Sequence, residues 1–148
     1  MRKGMEDLEL AGSLLEEEKW NLVIVKNGQI IFSSKERGVA PFFRAVRSME
    51  KGLHNAAAAD RIVGSAIAML CLHARVAAIY AGTASQGAVD ILRRQGVTVS
   101  SKNLVPYISN KAGTDLCPFE KLAQNSEDPA QLFSALEAIL GGFENDAR

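Results

Sequence analysis

Only two cysteines and two histidines occur among the 148 residues, and neither Cys71 nor Cys117 belongs to a CxxC pair. A disulfide framework and a metal site of ordinary Cys/His spacing are therefore not expected, and cysteine usage fits a reducing compartment. Net charge is lacking too: 17 basic and 17 acidic side chains cancel. Bulk nucleic-acid binding needs a basic surface, so a nucleic-acid partner is not expected. No apolar run approaches the roughly 20 residues of a membrane span. The first ten residues, MRKGMEDLEL, carry no signal-peptide core, which leads us to expect a cytoplasmic protein without a membrane partner. There is no internal repeat, no low-complexity linker, no Gly-rich phosphate loop and no complete triad. What remains is a chain that is 47% apolar and of a length suited to one domain, taken as residues 1–148.

The apolar pattern predicts a first helix over Met5 to Lys19, with Leu8, Ala11, Leu14 and Leu15 on one side. Glu16 to Glu18 stand at the unfavourable end of its dipole, so that end is expected to fray. LVIVKNGQIIF then gives two short β runs about Asn27-Gly28, a strong two-residue hairpin signal. Pro41 suits the first turn of a second helix carrying Phe42, Val46, Met49 and Leu53. A third helix is predicted from Ala58 or Asp60, with Ile62, Val63, Ala66, Ile67, Leu70 and Cys71 as its stripe. A strand at Val76 to Ala81, a helix capped by Ser85 and stopped at Gly96, and a strand at Val97 to Val99 complete a βαβ unit. Leu104, Val105 and Ile108 suit a short edge strand, limited to an edge by Pro106. A helical turn starts at Pro118. The last helix opens with Asp128 as cap and Pro129 behind it, and is expected to end at Gly141 and Gly142.

This order of elements resembles the cytidine-deaminase-like fold, a three-layer α/β/α sandwich about a mixed sheet of about 4–5 strands. SKERGVAPF, ADRIVGSAIAML, TASQGAVDIL, VPYISNKAGTDLCPFE and the DP-initiated last helix are similar to an uncharacterised prokaryotic family with that fold. The resemblance covers nearly the whole chain. It implies a family that lacks the deaminase zinc ligands and has no established activity. It also raises interest in Gly38, Asp60, Gly64, Asn110, Cys117 and Glu120, which match recurring positions of the family pattern. Ser65 departs from it, since the family often has a lysine after this glycine.

A zinc deaminase needs a His or Cys ligand and a nearby Glu at one helix start, and two further Cys ligands at the next. In the predicted elements these places fall at Ala58-Ala59-Asp60 and at Thr83-Ala84-Ser85-Gln86-Gly87, with no ligand in either. The hydroxide that attacks the base is then not generated. His54 is read as a loop or helix-end residue. No metal and no cofactor is expected.

Each candidate site residue has a structural reading beside the functional one. Asp60 and Arg61 form either a polar pair at a pocket mouth, accepting a hydrogen bond and holding an anion, or a helix cap with a salt bridge. Thr83 and Ser85 either present free helix N–H groups to a carboxylate or phosphate, or only cap a helix. Cys117 and Glu120 are either a thiol at a helix N-terminus with an orienting acid, or a small buried thiol beside a cap. Asn110 and Lys111, with Gly113, form a loop over a ligand or a plain turn. Ser33, Lys35, Glu36, Arg37 and Gly38 form a similar polar loop after the hairpin.

The reading that follows is a small-molecule-binding protein without zinc on a deaminase-like scaffold. The expected ligand is a nucleotide, a nucleobase or a related metabolite, by fold analogy. Catalytic candidates are Cys117, Glu120 and Asp60. Ligand-binding candidates are Gly38, Asp60, Arg61, Gly64, Ser85, Asn110 and Lys111. One alternative is a metal-independent enzyme using Cys117 and Glu120. Another is a regulatory or structural subunit without a ligand. Self-association is expected, because the apolar helices offer more faces than one sheet can cover.

Overall fold

The computed structural model describes residues 2–141. Gly142, expected to help end the last helix, lies outside them. The sheet has five strands in the order β2-β1-β3-β4-β5. They are β1 Leu22–Lys26, β2 Gln29–Ser34, β3 Ala57–Val63, β4 Ala78–Ser85 and β5 Thr98–Val105. β1 runs antiparallel to both β2 and β3, whereas β3, β4 and β5 are parallel. This is the expected mixed α/β sheet with helices on both faces.

The hairpin forms where Asn27-Gly28 predicted it. Both residues have positive φ, at 53° and 77°, as a two-residue type I′ loop requires. Asp7 of α1 (Arg2–Glu18) locks the turn: its two carboxylate oxygens accept the N–H groups of Asn27 and Gly28, each at 2.9 Å. Among the described residues, α1 is the helix that covers this face of the sheet. Leu8, Ala11 and Leu15 pack over Val23, Val25, Ala57, Ala59 and Ala78, with Tyr80 beside them.

The other face carries α2 (Ala40–Met49), α3 (Ser65–Ala74) and α4 (Gln86–Arg94), with Phe42, Phe43, Ile67, Leu70 and Leu92 in the larger core. Pro41 lies in the first turn of α2 as expected. α3 is apolar nearly all round, and its outer surface is covered by α5 (Pro118–Gln124) and α6 (Pro129–Leu136). A helix of that composition is stable only when enclosed. Asp128 caps α6 by accepting the N–H of Gln131 at 2.8 Å, and the helix continues into a wider π-type turn over Glu137–Gly141.

Two expectations are corrected. The segment predicted to begin the third helix is β3, hydrogen-bonded on both sides and placed mid-sheet, and the helix starts only at Ser65. Alanine favours helix intrinsically. Here Ala57, Ala58 and Ala59 are wholly buried between α1 on one face and the larger core on the other, where small side chains let helices approach. Tertiary burial overrides propensity. Secondly, β5 extends through Leu104 and Val105, which were expected to form a separate strand, and stops just before Pro106. At its C-terminal end α1 reaches Glu18, one residue short of the predicted Lys19. Arg61 reaches over from β3, donates to the Leu15 carbonyl at 2.7 Å and pairs with Glu16 at 3.3 Å. A cation there satisfies a terminal carbonyl and opposes the helix dipole.

Candidate functional site

Because Asp60 and Arg61 lie on a strand, their side chains leave opposite faces of the sheet. Arg61 is on the α1 side, with Glu16 and the Leu15 carbonyl. Tyr80 joins it there by donating its hydroxyl to Glu16 at 2.6 Å. That bond holds the Glu16 carboxyl below its ordinary range and pushes the Tyr80 phenol above its own. The polar pair expected at one pocket mouth is therefore divided between the two layers.

Asp60 is directed toward α3 and is only 6% exposed. Burial pushes its carboxyl well above the ordinary carboxylate value, against the N–H groups of Ile62 and Arg61, which lower it. Cys71, fully buried in α3, is close enough that burial first and the charge of Asp60 second push its thiol upward. Asp60 pairs in register with Leu22 of β1 and Ala81 of β4, so this buried acid lies in the middle of the sheet.

The carboxyl ends of β3 and β4 lead directly into α3 and α4. Ser85 closes α4, its hydroxyl accepting the N–H of Ala88 at 3.2 Å. The start of α3 is closed from 55 residues away. Glu120 of α5 is 6% exposed, and its two oxygens accept the N–H groups of Ser65 at 2.9 Å and Ala66 at 3.1 Å. A carboxylate is well matched to these orphan donors and to the positive end of the helix. The two helix starts are neighbours: a Cβ on Gly87 of α4 would lie 3.5 Å from the Ser65 hydroxyl. The structure thus brings Gly64, Ser65, Ser85 and Glu120 to the edge beyond Asp60.

The other candidates have local roles or stand apart. Asn110 organises its own loop, accepting the N–H of Thr114 at 3.1 Å through its side chain. Its backbone N–H donates to Asp115 at 2.8 Å and its carbonyl receives Gly113 at 3.0 Å. Lys111 is exposed in that turn and Gly38 is exposed in the loop before α2, with φ of 91°. Cys117 stands at the cap position of α5 and makes no side-chain capping bond. Thr83 is part of β4, paired with Ile62 and Asn103. His54 ends the short turn after Leu53. Ser65 and the pairing of Gly64 with Glu120 were not assembled from sequence, because the contact is long-range. The one available signal was the recurrence of both residues in the family pattern. A shallow depression lined by Glu6, Asp7, Leu10, Asn27 and Gly28 is at the opposite end of β1 from Asp60.

The helix starts that would carry zinc in a deaminase are Gly64-Ser65-Ala66 and Ser85-Gln86-Gly87. The first replaces the place inferred from the sequence. Backbone amides, two hydroxyls and an amide side chain are not a zinc donor set, and Glu120 already accepts from two N–H groups. The residues do not fit that metal. Among the described residues, no group of three or more His, Cys, Asp or Glu is placed to hold a metal ion.

The model of a domain of unknown function, DUF1893, matches residues 10–140. The chain belongs to the DUF1893 family. The crystal structure of a DUF1893 protein, TM1506 from Thermotoga maritima, superposes with a TM-score of 0.81 at 26% identity, covering 90% of this chain and 89% of that one. RibD of Acinetobacter baumannii aligns with a TM-score of 0.47 at 18% identity, over 68% of this chain and 35% of that protein. No curated protein matches. The DUF1893 assignment thus spans β1 to α6 and includes Asp60, Gly64 and Glu120. No helix of the described residues is long and apolar enough to cross a membrane.

Proposed function

We propose that this DUF1893 protein binds a small metabolite without zinc, at the edge formed by the ends of β3 and β4 and the starts of α3 and α4. The observation that carries the reading is the buried acid Asp60 beneath an edge where Ser65, Ser85 and Glu120 converge. Carboxyl ends of parallel strands are the usual ligand crevice of an open α/β sheet. A buried carboxyl with a raised pKa is the kind of group that marks such a site. The ligand class, a nucleobase, nucleoside or nucleotide, follows from the resemblance to the deaminase-like scaffold and is a fold analogy.

The test is a thermal-shift series with nucleobases, nucleosides and nucleotides in zinc-free buffer. A ligand at about 100 times its dissociation constant adds roughly 2.7 kcal/mol, a readily visible rise in midpoint. The rise should shrink in Asp60→Asn and persist in Lys111→Ala, whose side chain is exposed in a separate turn. A flat response across all classes refutes the reading.

A second reading is a structural or regulatory subunit without a ligand. Its support is that both helix starts are already satisfied within the chain, by Glu120 and Ser85. It predicts the flat response. The thiol-enzyme reading is weakened by the same contacts, because the Glu120 carboxylate is engaged with α3 rather than free to serve Cys117 as a base.

A further inference from the structure

The two edges of the sheet differ. At the β2 edge the register slips between Ile24 and Val25, leaving an irregular, bulged strand, and bulges blunt an edge against further pairing. At the other edge the eight-residue β5 pairs, among the described residues, with β4 alone and without a register shift. Its outer row of backbone N–H and C=O groups has no strand beside it among the described residues. Thr98, Ser100, Ser101, Lys102, Asn103 and Leu104 are all exposed, and Lys102 is the single charge in the strand. Long edges are normally protected by charge, bulges or proline. Here the protection amounts to one lysine and Pro106 beyond the end. The apolar surface of α3, which suggested self-association through helices, is covered by α5 and α6.

We propose that β5 pairs antiparallel with β5 of a second copy of this chain, about a two-fold axis perpendicular to the sheet, to give a continuous ten-stranded sheet. Such an axis keeps each face of the sheet on its own side, so paired residues must face the same way. Val99 packs into the larger core. Thr98, Ser100, Lys102 and Leu104 therefore share the α1 side, where Lys102 lies in the field of Glu16. Centring the axis on Lys102 would set two lysines opposite each other. Centring it on Ser101 sets Ser100 against Lys102 and Thr98 against Leu104, which is otherwise 54% exposed. The second register is free of like-charge opposition. A formally neutral chain adds no net repulsion between copies.

The test is sedimentation velocity over a concentration series, with Ser101→Glu and Ser101→Lys, both at an exposed position. The wild type should dimerise. Each variant alone sets like charges across the axis and should weaken the dimer at least about tenfold, and an equimolar mixture of the two should restore it. A monomeric wild type, or a dimer indifferent to both variants, overturns the proposal. Amide exchange of the wild type over the same series gives an answer that needs no variant. Protection gained with concentration along residues 98–105 supports the pairing, and protection unchanged there refutes it.

Discussion

A Cβ on Gly64 would stand 2.5 Å from the carboxyl group of Glu120. The absent side chain is what lets that carboxylate reach the first N–H groups of α3. Gly64→Ala should therefore destabilise the protein by about 1–3 kcal/mol, since the obstacle is a buried group held by two hydrogen bonds. Urea denaturation measures it. In a double-mutant cycle with Glu120→Ala the two effects should be far from additive, because both act on one contact.

Glu120→Ala leaves the N–H groups of Ser65 and Ala66 without their partner. The expected loss is about 1–3 kcal/mol per group that water cannot reach. Glu120→Gln keeps one acceptor oxygen and should cost less than Glu120→Ala. A Glu120→Gln variant as stable as the wild type, beside a destabilised Glu120→Ala, would show that packing rather than the paired carboxylate cap is what Glu120 supplies.

Asp60 gives a pH dependence with a definite sign. Its folded pKa is raised by burial, so the folded state favours the neutral acid. The stability associated with that acid is fully present below the unfolded carboxylate value of about 4, and is lost as pH rises toward the folded pKa. Asp60→Asn removes this titration. The stability of the variant relative to the wild type should rise from pH 4 toward neutrality, as followed by chemical denaturation at several pH values. A constant difference would refute the assignment.

Arg61→Ala should loosen the end of α1 with little change in global stability, below about 1 kcal/mol for a half-exposed ion pair. Amide exchange should speed up in residues 15–18, and the Tyr80 phenol should titrate differently as Arg61 no longer opposes its rise.

The thiols should separate cleanly. Cys71 is fully buried and its thiol is pushed upward, whereas Cys117 is partly exposed. A disulfide reagent should modify one thiol in the native protein and two in urea. Selective rapid reaction at Cys117 would revive the thiol-enzyme reading, and a rate no faster than that of the denatured thiol would remove its main support.

Elements whose signals are local were legible in the sequence by itself: the Asn27-Gly28 hairpin, Pro41 at the start of α2, the Ser85 and Asp128 caps, and the turn at Pro118. Each depends on backbone preferences or hydrogen bonds within a few residues. The mixed α/β sheet followed from their order. Tertiary structure decided the rest. An alanine-rich run became a central strand because burial between two helical layers outweighed helix propensity. That change of period sent Asp60 and Arg61 to opposite faces, dividing a pair that a helix would have kept together. The start of α3 was set by Glu120, 55 residues further along the chain, and no local pattern announces a cap supplied from such a distance.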